Sequence, residues 1–168
     1  NRFEKLVDKF KTGNFDVVGS YITERDIKKN INITKKVPLE NSKIIKMSKM
    51  RNPVNHMSVA FKTKSVLDLG GYPEIDLKED YALWLLAKLS KYKILNLNEP
   101  LVSCHIDNQT FSRRKSISSI ISEFLILKII IKKNYIFFPI SLISFLLRIT
   151  FLLLPKPIYR SSKRILNK

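Results

Sequence analysis

The chain reads as an α/β unit followed by a basic, apolar helical tail, and three observations predict it. Over residues 1–112, stretches with apolar residues at helical spacing alternate with short β-branched and aromatic runs. Apolar runs such as Phe124-Leu125-Ile126-Leu127 and Phe151-Leu152-Leu153-Leu154 gather in the last third. Charge is skewed the same way. The 168 residues carry 31 Lys and Arg against 14 Asp and Glu, a net +17. Of these, residues 113–168 hold 12 basic residues and one acid, Glu123, a balance of +11, which leaves +6 for residues 1–112. We therefore place a boundary near residue 112, between a unit at 1–112 and a tail at 113–168. With 45% hydrophobic and 27% charged residues the chain can bury a core. Its excess of positive charge favours an anionic partner: nucleic acid, acidic lipid or a phosphorylated ligand. A single cysteine, Cys104, excludes an internal disulfide and a Cys-rich zinc site. The charged opening stretch does not read as a signal peptide.

Phe3, Leu6, Val7 and Phe10 predict a helix over residues 2–12, stopped by Gly13-Asn14. Asp16 to Thr23 is rich in β-branched and aromatic residues and predicts a strand, with a shorter one at Ile31 to Thr34. Glu40 to Met50 reads as a weak helix ended by Asn52-Pro53, because the residue before a proline avoids helical dihedrals. Met57 to Phe61 predicts a short strand, and Lys64 to Leu69 a helical turn or two closed by Gly70-Gly71-Tyr72-Pro73. Asp76-Leu77-Lys78-Glu79 has the spacing of a capping box and introduces an apolar helix from about Lys78 to Ser90. Tyr92 to Leu97 and Leu101 to Ile106 read as two strands around Asn98-Glu99-Pro100.

In the tail, Ile117 to Lys133 is amphipathic, with Ser118, Ser119, Ser122 and Glu123 against Ile117, Ile120, Ile121 and Phe124. Residues 135–154 form a mostly apolar stretch as long as the minimum bilayer span. Ser141, Ser144 and Arg148 nevertheless fall on one stripe of it, which suits a helix lying in an interface or packed on protein better than one surrounded by lipid. Arg160, Lys163, Arg164 and Lys168 follow as a basic face. The expectation is a peripheral membrane tail rather than a transmembrane segment at 135–154.

The segment richest in chemistry is Gly70-Gly71-Tyr72 followed by Glu79-Asp80-Tyr81 and Leu83-Trp84. Paired glycines let a backbone turn sharply and approach a ligand. Acids in the first turn of a helix are held ionised by the positive end of its dipole. An ionised carboxylate beside a pocket is what a general base needs to take a proton from an attacking hydroxyl. The same acids also serve simply to complement the dipole, so spacing alone leaves both roles open. His56, His105 and Cys104 do not make a zinc spacing. There is no phosphate-binding Gly-x-x-x-x-Gly-Lys loop and no Gly-x-Ser-x-Gly elbow. Ser112-Arg113-Arg114-Lys115 could grip phosphate or stand as a solvated charge run.

Gly70-Gly71-Tyr72 with Glu79-Asp80-Tyr81-Ala82-Leu83-Trp84 resembles the acceptor-side signature of family-2 inverting glycosyltransferases of the GT-A fold. The likeness is to bacterial enzymes that build exopolysaccharide, capsule or O-antigen. Other pieces stand in the same order: Arg2-Phe3-Glu4-Lys5, Asp16-Val17-Val18-Gly19-Ser20, Arg51-Asn52-Pro53-Val54-Asn55-His56, and Asn96-Leu97-Asn98-Glu99-Pro100-Leu101. Ser112-Arg113-Arg114 and the stretch from Leu154-Pro155 to Tyr159-Arg160 also have counterparts.

The resemblance implies a partial GT-A (nucleotide-diphospho-sugar transferase) fold, its acceptor half, followed by the amphipathic helical tail. It implies that Asp80 is the catalytic base and that Glu79 lines the acceptor side. Gly70, Gly71, His56 and Trp84 would contact substrate, although Trp84 at its helical spacing reads rather as core packing than as a sugar-stacking face, and His56 equally as structural. The implied partners are a nucleotide-sugar donor, a glycan acceptor linked to polyprenyl diphosphate, and an anionic membrane at the cytoplasmic face of the inner membrane. Nucleic acid is not implied. Such enzymes hold Mg²⁺ or Mn²⁺ on the donor diphosphate through an Asp-x-Asp, which this sequence lacks. The expectation is thus a C-terminal portion whose metal ligands precede Asn1, inactive when isolated. Where family members often carry arginine, this chain has Leu86 and His105. A different class, a non-enzymatic basic module on anionic membrane or nucleic acid, would also account for the charge. A degenerate remnant that only assembles with other proteins is the third reading.

Overall fold

The computed structural model describes residues 1–26, 30–107, 116–133, 138–155 and 158. In chain order its elements are α1 (Arg2–Thr12), β1 (Val17–Asp26), β2 (Ile31–Lys35), α2 (Asn41–Ser48), β3 (Ala60–Phe61), α3 (Thr63–Asp68), α4 (Glu79–Leu89), β4 (Ile94–His105), α5 (Ile117–Lys133) and α6 (Phe138–Leu153). The result is a mixed α/β architecture with an open sheet. β1 is the spine. β4 runs parallel to it from Val17↔Ile94 to Arg25↔His105. Its other edge is shared, with β3 antiparallel to Val17 and Val18, and β2 antiparallel to residues 22–26. The first half of β1 is buried without alternation, as expected of a strand covered on both faces.

Three predicted elements change form for identifiable reasons. The two strands expected around Asn98-Glu99-Pro100 are one strand, β4. Tyr21 pairs with Pro100 through a register shift on either side, so the proline, which has no N–H to donate, sits in an irregularity rather than a turn. The strand expected at Met57 to Phe61 is confined to Ala60–Phe61, after a 3₁₀ turn at His56–Ser58. There the Ser58 hydroxyl bonds the Asn55 and Ser20 carbonyls, and the Ser20 amide donates back to it at 3.0 Å. A side chain has taken the place of a ladder. The capping box at Asp76–Glu79 does not form. Lys78 is the cap of α4 and its side chain makes no capping hydrogen bond, and Asp76 instead accepts from the Ser118 hydroxyl of α5.

α4 is buried almost all round, without a break from Tyr81 to Leu85, because two cores meet on it. Leu83, Trp84 and Ala87 pack with Val17, Ile44, Val54, Val66 and Ile94. Tyr81, Ala82 and Leu85 pack with Ile75 and with Ile126 and Ile130 of α5. Trp84 is 0% exposed. Trp84→Ala should therefore cost about 3–5 kcal/mol of unfolding free energy, the usual range for deleting a buried large aromatic. A urea melt checks it.

The tail helices bury mixed faces, with Ile126 and Ile130 of α5 and Phe145 and Leu152 of α6 inside alongside polar residues. Ser119, Ser122 and Glu123 of α5 are buried, whereas Ile117, Ile121 and Phe124 are exposed. In α6, Ser141 and Ser144 are buried while Ile140, Ile143, Leu146 and Leu147 face outward. The stripe of Ser141, Ser144 and Arg148 thus packs on protein: Ser144 donates to the Met50 carbonyl at 3.0 Å and Arg148 reaches the same carbonyl. α6 has 16 residues, and among the described residues no helix is long and apolar enough to cross a membrane. Ser112-Arg113-Arg114-Lys115 and the basic face from Arg160 to Lys168 lie outside the described residues, as does the stretch in which the boundary near residue 112 falls.

Candidate active site

α3 ends in a Schellman motif: the Gly71 amide bonds the Val66 carbonyl at 3.0 Å and the Gly70 amide the Leu67 carbonyl at 2.9 Å. Both glycines take positive φ, +90° and +78°, which an L side chain rarely adopts. A Cβ on either would meet nothing within 4 Å. The demand for glycine here is thus conformational. It turns the chain so that Tyr72 comes back over His56 and Phe61, with ring centroids 5.8 and 6.4 Å away. Tyr72 is 40% exposed. Burial first, and then the charges of Asp80 and Glu79, push its hydroxyl above the ordinary phenol range. At neutral pH it is a hydrogen-bond donor standing near two carboxylates.

Asp80 lies in the first turn of α4, partly buried. Its Oδ1 accepts from the Tyr81 amide at 2.7 Å, and its Oδ2 accepts from Nδ2 of Asn52 at 2.7 Å. The orientation of the Asn52 amide follows from its other end, where Oδ1 accepts from the Val54 N–H at 3.1 Å. With the oxygen taken by a backbone donor, the NH₂ is left to face the carboxylate. The Asn52–His56 segment is itself anchored on the sheet. Nδ2 of Asn96 donates to the Pro53 carbonyl at 3.0 Å, and Nδ2 of Asn55 donates to the Ser20 carbonyl at 2.9 Å. Gly19 permits the approach, since a Cβ there would stand 2.5 Å from the Asn96 side-chain oxygen and 2.9 Å from Val54.

The structure therefore gathers His56, Tyr72, Glu79 and Asp80, with Gly70-Gly71 leading into the group. Glu79 and His56 are exposed. Trp84 does not join them at the surface. Its ring lies beneath His56 and Phe61, with no face open to a sugar, and it packs in the core as its helical spacing predicts. Leu86 is partly buried on α4, and His105 closes β4 opposite Arg25. Two members carry no role in the sequence reading. Asn52 stands there as a helix stop and as part of the Asn-Pro segment, although an Asn before Pro is also an Asx-turn former whose amide can be presented to a neighbour. Tyr72 stands only as the aromatic directly after the glycine pair. Asn52→Ala removes the donor to Asp80 and also leaves the Val54 N–H without its acceptor, so it should cost about 1–3 kcal/mol of stability, which a urea melt would test.

Among the described residues no three His, Cys, Asp or Glu side chains converge as a divalent ion requires. The described residues do not fit such an ion.

The chain is similar to glycosyltransferases. It is 37% identical over 157 residues to UDP-Gal:alpha-D-GlcNAc-diphosphoundecaprenol beta-1,3-galactosyltransferase of Escherichia coli, a match covering 92% of this chain and 57% of the relative. It is 33% identical to an uncharacterized glycosyltransferase of Haemophilus influenzae, over 77% of this chain and 48% of that one. It is 33% identical to the amylovoran biosynthesis glycosyltransferase AmsE of Erwinia amylovora, over 53% of this chain and 34% of that one. The chain thus spans about half the length, or less, of the curated relatives it matches. No family model and no solved structure matches it.

Proposed function

We propose that this chain forms the acceptor side of an inverting glycosyltransferase of the GT-A type, with Asp80 as its base. The observation that carries the reading is the carboxylate itself: partly buried, oriented by Asn52 and the Tyr81 amide, and set at the positive end of α4 beside His56 and Tyr72. Asp80 takes the proton from an acceptor sugar hydroxyl as that oxygen attacks the anomeric carbon of a nucleotide sugar. The bond to the nucleotide diphosphate breaks on the opposite face, so configuration inverts. Asn52 holds the carboxylate in one rotamer, which makes the geometry of proton transfer available before the substrate arrives. The Tyr72 hydroxyl and His56 are placed to hydrogen-bond the acceptor sugar, with Glu79 on the same side. Binding of the donor diphosphate, and any divalent ion on it, draws on residues beyond this span.

The acceptor in this reading is a glycan on polyprenyl diphosphate, the chemistry in the name of the Escherichia coli relative. A lipid-linked acceptor brings the protein to the cytoplasmic face of the inner membrane. The exposed apolar residues of α5 and α6, among them Ile117, Ile121, Ile143, Leu146 and Leu147, support peripheral attachment there, since so large an outward apolar patch needs apolar surroundings. The net charge of +17 favours anionic lipid. The test is transfer from UDP-galactose to GlcNAc-diphosphoundecaprenol by the full-length enzyme and its Asp80→Asn variant.

A further inference from the structure

Glu123 is the most deeply buried acid among the described residues, 1% exposed, and it makes no contact with the carboxylate of Asp80. It is nonetheless tied to both chain segments that hold that carboxylate. Its Oε1 accepts from Nζ of Lys78 at 2.6 Å, and its Oε2 from Nε of Arg148 at 2.6 Å. Lys78 is the residue on which α4 begins, two positions before Asp80. Arg148 donates onward to the carbonyl of Met50, two positions before Asn52, and that carbonyl also receives the Ser144 hydroxyl. The tail therefore grips the start of α4 with one hand and the approach to Asn52 with the other, and Glu123 joins the two.

The turn being gripped is strained. Leu77 has φ +60°, a left-handed conformation that costs a non-glycine residue of order 1 kcal/mol and persists only where its surroundings over-determine it. Its surroundings are α5 on both sides. Before it, Asp76 accepts from Ser118 through its side chain and from Ser122 through its carbonyl; after it, Lys78 meets Glu123. A buried carboxylate with two cations is poor economy for stability alone, because apolar residues of the same size commonly serve as well or better. What the ion pairs supply is direction. We propose that Glu123 is a positioning residue that, through Lys78 and Arg148, holds the two segments carrying Asp80 and Asn52 in register.

The inference rests on the transferase reading for its consequence, though not for its geometry, and the experiment separates the two. In the full-length enzyme, Glu123→Gln should lower kcat for transfer from UDP-galactose to GlcNAc-diphosphoundecaprenol by about 10–100-fold, the scale of a catalytic group displaced by up to an ångström. The KM for UDP-galactose should stay within about twofold, because no donor contact is touched. Hydrogen exchange at the Tyr81 and Ala82 amides should quicken in the same variant. A triple variant, Glu123→Met with Lys78→Met and Arg148→Leu, keeps the volume without the charges. It should melt at or above the parent temperature and show the same loss of kcat. A triple variant of unchanged melting temperature and unchanged kcat would overturn the proposal, as would unaltered exchange at Tyr81 and Ala82 in Glu123→Gln. If the parent enzyme transfers no sugar between these substrates, the transferase reading has failed for them, and the exchange rates alone decide whether Glu123 holds the turn.

Discussion

Asp80→Asn in the full-length enzyme is expected to lower sugar transfer by about 10²–10⁴-fold, the range that a positioned general base contributes. The substitution conserves shape, but its one oxygen can accept from Asn52 or from the Tyr81 amide and not both, and a neutral amide has no basic oxygen to take the proton of the acceptor hydroxyl. Folding should survive. One first-turn charge at a helix N-terminus is worth about 0.3–1 kcal/mol, which does not unfold a domain. Binding of UDP-galactose, measured by calorimetry, should be unchanged, because Asp80 acts on the acceptor side. Turnover within a few-fold of the parent would remove Asp80 from the role of base. Loss of donor binding along with turnover would instead mean that the substitution had disturbed more than proton transfer.

The second large effect is expected at the outward face of the tail. Changing Ile121, Phe124, Ile143 and Leu147 together to Gln should release the protein from vesicles containing phosphatidylglycerol. Burying such a side chain fully is worth about 1.5–3 kcal/mol, and each is more than half exposed and only partly sunk at an interface. Four of them together supply over about 3 kcal/mol, which is more than a hundredfold in partition. Ile121, Ile143 and Leu147 face outward, whereas the Phe124 ring also packs edge-on against Phe145, so only a small drop in melting temperature is expected. Removing everything after residue 112 is the wrong way to ask the question. It would strip Ile126 and Ile130 from the core around Tyr81, Ala82 and Leu85, and a fraction lost from the membrane would then report misfolding. A quadruple variant that still pellets with vesicles would place the attachment elsewhere. Raising the salt should weaken binding of the parent protein further, since part of the attraction is electrostatic and screened.

Much of the fold was legible along the chain. The helix at residues 2–12, the strands near residues 17 and 31, and the glycine stop after α3 follow from spacing and turn chemistry that act within a few residues. The failures share one cause. Asp76 looked like a cap because the four-residue pattern around it is that of a cap, but a hydroxyl from α5, 42 residues on, competes for the same carboxylate. Pro100 looked like a turn because prolines end isolated strands, whereas parallel pairing with β1 carries the chain through the irregularity. At the site, the acid pair and the glycine pair could be found by reading. Asn52 could not be assigned to Asp80, because 28 residues separate them and neither local pattern refers to the other.

The tail shows the division most clearly. Its apolar content, its amphipathic spacing and its positive charge belong to the amino-acid sequence, as do the order of the elements and the acids that open α4. Which face of α5 turns inward does not. Periodicity says that one side is polar and the other apolar, yet the buried face takes from both, Ile126 and Ile130 together with Ser122 and Glu123. Here Lys78, Arg148 and the Asp76 turn offer Glu123, Ser118 and Ser122 partners that water would otherwise have to supply. That choice, and with it the link between the tail helices and the carboxylate at the head of α4, was made by packing between segments far apart in the chain.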